Sequence, residues 1–166
     1  GTDEERMEAV IGQFLRQRGA TLALAESCTG GLVASRLTDI SGSSDYVERG
    51  VVASSPAAKQ ALLDVPRALL EQHGAVSLPV ATAMAEGVRR RSGTTFGLAT
   101  TGIAGPTGGT PEKPVGRVCV ALAWEGGGSA REFRLLGERE TIKYRASQMA
   151  LEMLRRHLLG VPGEEA

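Results

Sequence analysis

Thr21-Leu22-Ala23-Leu24-Ala25-Glu26-Ser27-Cys28-Thr29-Gly30-Gly31-Leu32-Val33-Ala34-Ser35-Arg36-Leu37-Thr38 is the stretch whose reading decides the fold. Thr21 to Ala25 is a short apolar run that reads as a buried strand. Hydroxyls, a thiol and two glycines follow at once, and a helical stretch then continues to about Thr38. A strand leading through small residues directly into a helix is the unit from which α/β domains are built.

Reading outward, residues 3–18 form a helix by pattern, with Met7, Val10, Ile11, Phe14 and Leu15 as one apolar stripe. Thr2 and Glu5 resemble a capping box and Gly19 ends the helix. Downstream, Ser41 to Ser44 is a loop and Tyr46 to Ala53 is β-rich. Ser55-Pro56 opens a helix in the favoured order, N-cap then proline. Pro66 and Pro79 each mark the start of a further helix, the second running to about Ser92. Phe96 to Thr101 is the next apolar strand, and it enters a loop that runs on through Lys113. From Val115 to Trp124 apolar residues occupy both faces, as in a central strand. Glu125 to Gly128 reads as a turn, and Arg131 to Leu136 alternates like an antiparallel neighbour. In the last helix Ile142, Ala146, Met149, Ala150, Met153, Leu154 and Leu158 share one face.

Strands alternating with helices imply an α/β fold, a three-layer α/β/α arrangement. Its sheet is mostly parallel, made mixed by the late hairpin, and covered by helices on both faces. No repeat or linker divides the chain, so residues 1–166 are expected to form a single domain. In such sheets ligands bind beyond the carboxyl ends of the strands, where both glycine-rich loops begin.

Composition narrows the function. Hydrophobic residues make up 42% and charged residues 23%, which is ordinary globular chemistry. The formal net charge is zero, which argues against a nucleic-acid partner. The one basic cluster, Arg89-Arg90-Arg91, reads as dipole compensation at a helix end. Cys28 and Cys119 have no metal-ligand spacing, so no metal is expected. No run is long and apolar enough to span a membrane, and the charged start is not a signal peptide, so the expected location is the cytoplasm.

Three elements carry the chemistry. Ser27, Cys28 and Thr29 offer nucleophiles or donors, and Gly30 and Gly31 leave backbone N–H groups accessible at a helix N-terminus, suited to a phosphate or an oxyanion. Helix capping is the bland alternative for this loop. The second loop, residues 102–110, holds four glycines and a proline, with Thr100 and Thr101 before it and Lys113 after. Bare backbone, hydroxyls and a cation suit a phosphorylated ligand, but neither the P-loop nor the dinucleotide fingerprint is present. Lys59 is the third element, in the first turn of its helix, where the macrodipole disfavours an ammonium and burial would lower its pKa further. Alone it would read as a surface lysine.

Together, Ala25-Glu26-Ser27-Cys28-Thr29-Gly30-Gly31, Gly50-Val51-Val52 with Lys59, and Thr101-Gly102-Ile103-Ala104-Gly105-Pro106 through Gly108-Gly109-Thr110-Pro111-Glu112-Lys113-Pro114-Val115-Gly116 resemble the CinA C-terminal domain family, from about Phe14 to Leu159. Many members of that family are nicotinamide-nucleotide amidohydrolases. The resemblance implies hydrolysis of nicotinamide mononucleotide to nicotinic acid mononucleotide and ammonia, without a cofactor. By position it makes Ser27 the nucleophile and Lys59 its base. Glu26, Thr29, Gly30 and Gly31 then belong to the substrate site, where backbone N–H groups near Thr29 to Gly31 would hold the oxyanion. Thr101, Gly102, Ile103, Ala104, Gly105, Gly108, Gly109, Thr110 and Lys113 would cradle ribose and phosphate, with Arg139 and Arg145 as further phosphate candidates or surface charges. Many deamidating members carry a tyrosine five residues before the lysine. Ser54 stands there, so either it shares in proton handling through a water, or activity is reduced, or the chain binds nucleotide without catalysis, in a module tied to competence or recombination proteins. A cysteine hydrolase built on Cys28 is a third reading, with neither His73 nor His157 placed by motif as its base. Family members commonly pair, so a dimer is expected. The family also occurs behind a larger N-terminal domain, so the chain is expected either alone or as part of a longer protein.

Overall fold

The computed structural model describes residues 6–160. In chain order these form α1 (Met7–Arg18), β1 (Leu22–Glu26), α2 (Leu32–Thr38), a 3-10 turn (Ser43–Asp45), β2 (Val47–Val52), α3 (Pro56–Leu63), α4 (Arg67–His73), α5 (Leu78–Ser92), β3 (Phe96–Gly102), β4 (Arg117–Trp124), β5 (Gly127–Arg134) and α6 (Arg139–Leu159). One sheet carries the strands in the order β2-β1-β3-β4-β5. β1 pairs in parallel with β2 and β3, whereas β4 is antiparallel to both β3 and β5. Only β4 therefore runs against the others, which is the mixed sheet expected from the late hairpin.

Alternation along the central strands divides the core in two. Leu22, Leu24, Leu98, Val118, Val120 and Leu122 meet α1, α2 and α6 on one face. Ala23, Ala25, Ala99, Cys119, Ala121 and Ala123 meet α5 on the other. The small residues let α5 lie close to the sheet. A Cβ on Gly97 of β3 would stand 2.2 Å from the Ala85 carbonyl oxygen, and one on Gly87 of α5 would stand 1.7 Å from that of Leu63. Both glycines are where they are because backbone passes against backbone.

Local signals act where expected. Ser55 Oγ accepts from the Ala58 N–H and caps α3 ahead of Pro56, and Gly19 closes α1 in the left-handed conformation. The proposed capping box of Thr2 and Glu5 lies outside the described residues. Arg90 and Arg91 pair with Asp64, and Arg91 also donates to the carbonyls of Ala61 and Leu62, so the basic run is bound at the surface. Two strand starts differ from the sequence reading by more than one residue. β4 begins at Arg117, because Val115 packs inside the preceding loop against Gly105 and Gly109. β5 begins four residues before Arg131, because Gly127 pairs directly with Trp124. A side chain at Gly127 would meet the Trp124 indole at 2.6 Å, so glycines that read as turn are ladder residues here. Among the described residues no helix is long and apolar enough to cross a membrane.

Candidate active site

β1 ends at Glu26, and the next residue, Ser27, donates its N–H to the Thr100 carbonyl of β3 at 3.1 Å. Beside it, the Ala53 N–H donates to the Glu26 carbonyl at 2.9 Å, which brings the end of β2 alongside. The chain then turns through Ser54 and Ser55 into α3, and Lys59 reaches back beneath the turn. Its Nζ lies 3.1 Å from Ser27 Oγ, 2.9 Å from the Ala53 carbonyl and 3.4 Å from the Ser54 carbonyl. Lys59 is 1% exposed. Burial pushes its amine below the ordinary lysine value, opposed only by the neighbouring Cys28. No salt bridge to a carboxylate is made by Lys59 among the described residues.

The loop after Ser27 is organised by Glu26, whose side chain is 1% exposed. One carboxylate oxygen accepts from the N–H groups of Gly31 and Val33 and from Thr29 Oγ1 at 2.5 Å, and the other from the Ala34 N–H. Thr29 Oγ1 also lies 2.8 Å from Thr100 Oγ1. This corrects the anion-site reading of the loop. The Gly30 N–H is taken by the Ser27 carbonyl and that of Gly31 by Glu26, so a buried side chain already fills the positive end of α2. Glu26 and Thr29 hold the loop, and neither lines the cavity over Ser27.

A cavity of about 290 Å³ opens over Ser27, lined by Ser27, Cys28, Ser54, Gly102 to Gly105, Thr107, Gly108 and Arg139. At Gly102 a Cβ would stand 2.8 Å from Val118 Cγ2 and 3.0 Å from both the Arg117 carbonyl oxygen and Cys28 Sγ, so this lining position leaves no room for a side chain. Arg139, from the first turn of α6, donates to the Gly105 carbonyl at 2.7 Å and closes one side. The fold thus brings together Ser27, Lys59, Ser54, Gly102, Ile103, Ala104, Gly105, Gly108 and Arg139.

Other sequence candidates fall elsewhere. Thr101 is buried and donates to the Ala75 carbonyl at 2.8 Å. Gly109 packs on Val115, and Thr110 forms a turn with Lys113. Lys113 Nζ donates to the His73 carbonyl at the end of α4, a C-terminal cap drawn away from the cavity. Arg145 is exposed and outside the lining.

Cys28 is the poorer nucleophile. Burial pushes its thiol up to about 12, which keeps it protonated. His157 stacks on Trp124 at 4.1 Å, against the opposite end of β4. Thr107 of the same loop also lines the cavity, although nothing in a glycine-rich loop tells which of its side chains turn inward.

Residues 4–158 match the family described as the CinA C-terminal domain. A CinA-like protein of Geotalea uraniireducens is 52% identical over 98% of this chain and 39% of its own length. Another, of Syntrophus aciditrophicus, is 54% identical over 94% of this chain and 37% of its own length. The chain thus spans about two fifths of the length of these curated relatives. Among solved structures, the competence/damage inducible protein CihA of Agrobacterium tumefaciens is 41% identical with a TM-score of 0.90, over 96% of this chain and 97% of that one. The competence damage-inducible protein A of Klebsiella pneumoniae is 31% identical with a TM-score of 0.91, over 97% of this chain and 100% of that one.

Proposed function

This chain belongs to the CinA C-terminal domain family, and we propose that it hydrolyses the carboxamide of nicotinamide mononucleotide, using Ser27 as nucleophile and Lys59 as its base. The observation that carries the reading is the set of three partners around Lys59 Nζ. A protonated amine offers one N–H to each of Ser27 Oγ and the two carbonyls. When it loses a proton, the carbonyls of Ala53 and Ser54 keep the two remaining N–H groups, and the lone pair is left facing Ser27 Oγ. Burial favours that neutral form.

Ser27 Oγ attacks the carboxamide carbon while its proton passes to Lys59. The tetrahedral intermediate collapses by breaking the carbon–nitrogen bond, and Lys59 returns the proton to the departing ammonia. Water then attacks the acyl-enzyme, again giving its proton to Lys59, and the carboxylate product leaves as Ser27 recovers its proton. The substrate's pyridinium withdraws electrons from the carbonyl and lowers the demand on the nucleophile.

Incubation with nicotinamide mononucleotide should release ammonia and leave nicotinic acid mononucleotide, and Ser27→Ala should release none. Nucleotide binding without ammonia release would replace this reading by the binding module, which the serine at position 54 favours.

A further inference from the structure

Next to the cavity over Ser27 lies a larger one, of about 680 Å³, between α2 and α6. Thr29 to Leu32 and Ser35 form one wall, and Arg139, Glu140, Lys143 and Tyr144 form the other. Arg139 lines both cavities and so stands where they adjoin. Lys143 lies one helical turn beyond Arg139 and so faces the same way.

Lys143 differs from the other lysines. Lys59 and Lys113 are held by protein oxygens, whereas Lys143 has no hydrogen-bond or ion-pair partner among the described residues. It nonetheless lies against the wall of the cavity, where a Cβ on Gly30 would stand 3.5 Å from its Nζ. Among the described residues Arg139 has a backbone carbonyl as partner and no carboxylate. Glu140 is the only acidic side chain among the described residues of either lining, against two cations. Tyr144, 53% exposed, leaves its ring at the rim.

We propose that this second cavity is the phosphate subsite, in which Lys143, with Arg139 where the two cavities adjoin, takes the phosphate monoester of a nucleotide whose base lies over Ser27. The inference rests on the amidohydrolase reading for the base and carries the specificity for nucleotide over nucleoside. The glycine-rich loop then walls the base and ribose, and the phosphate is gripped from α6. An ammonium with no internal partner gains a charge-assisted contact from a phosphate without giving one up.

The test uses binding in a Ser27→Ala background, with turnover measured separately in chains that keep Ser27. With nicotinamide mononucleotide as probe, titration calorimetry should show Lys143→Met weakening binding by about ten- to a hundredfold, the loss of one charged contact. Lys143→Arg should restore most of it. Nicotinamide riboside, which lacks the phosphate, should bind the Lys143→Met protein and its parent alike. In turnover, Lys143→Met should raise KM with little change in kcat. Equal nucleotide binding with and without Lys143, or an equal loss for the riboside, overturns the subsite. If the chain with Ser27 releases no ammonia but nucleotide binding still depends on Lys143, the amidohydrolase reading fails and the subsite stands. If no nucleotide binds, both fall.

Discussion

Lys59 Nζ and Ser27 Oγ stand 3.1 Å apart, and the remaining partners of the amine are two backbone carbonyls rather than a carboxylate. A buried lysine paired with Asp or Glu would stay charged. One held by neutral carbonyls and a hydroxyl gives up its proton more readily than an exposed lysine, because no opposing charge offsets the hydration lost on burial.

The first prediction separates the two candidate nucleophiles. Ser27→Ala should abolish ammonia release from nicotinamide mononucleotide, while Cys28→Ala keeps most of it, because desolvation pushes the Cys28 thiol up to about 12. A steady-state ammonia assay on both variants decides the matter. Activity that survives loss of Ser27 moves the nucleophile elsewhere.

The second concerns protonation of Lys59. The reactive form is the neutral amine, so kcat should rise with pH through one ionisation below the ordinary lysine value of about 10.4, then level off. Lys59→Arg keeps the charge but supplies no base, and should lower kcat by about a hundredfold or more while leaving nucleotide binding in place. Near-normal turnover in that variant would remove the Ser–Lys mechanism.

Stability should carry the same signature. Between the lowered folded value and about 10.4, the unfolded chain holds more protons at this lysine than the folded one, so stability rises with pH across that window. Measured against Lys59→Met by urea unfolding, the native chain should gain ground as pH climbs there. A difference that stays flat with pH would mean the amine is not perturbed.

A fourth prediction tests the clasp around the loop. Glu26 accepts three backbone N–H groups and the Thr29 hydroxyl while buried. Glu26→Ala should cost about 3 kcal/mol of unfolding free energy, the order expected when a buried charged acceptor is removed from its donors. Thermal unfolding checks this, and a loss below about 1 kcal/mol would show that water replaces the carboxylate with little cost.

Packing gives the fifth. Gly87→Ala places a Cβ 1.7 Å from the Leu63 carbonyl oxygen, so α5 must move away from α3. The cost should reach about 3 kcal/mol, at the upper end for overpacked sites. An unchanged melting temperature would mean the two helices are not fixed relative to each other.

Much of this was legible along the chain. The apolar runs at Leu22 to Ala25 and Phe96 to Thr101 became central strands, because residues buried on both faces must be apolar whatever their partners. Ser55-Pro56 and Gly19 ended or began helices as read, since caps act within a few residues. The glycines after Trp124 misled, because a glycine in a turn and one beside an indole look alike in sequence. Glu26 and Thr29 were read as site residues, yet their polar atoms are satisfied inside the loop. The spacing of four between Arg139 and Lys143 already places both on one helix face, but not which of them has a protein partner.

What the sequence determined by itself is the succession of strands and helices and the two loops at strand ends, all of which depend on near neighbours and on the period of burial. The tertiary structure alone decided which polar groups are free to act. Lys59 meets Ser27, 32 positions away, only because β1 and β2 are parallel neighbours and α3 folds back under their ends. Whether a cation is held by a carbonyl, as Lys113 is by that of His73, or left without a partner among the described residues, as Lys143 is, depends on groups far along the chain. Hydrogen bonding and burial are properties of atoms brought together in space, and spacing along the chain does not specify which atoms those are.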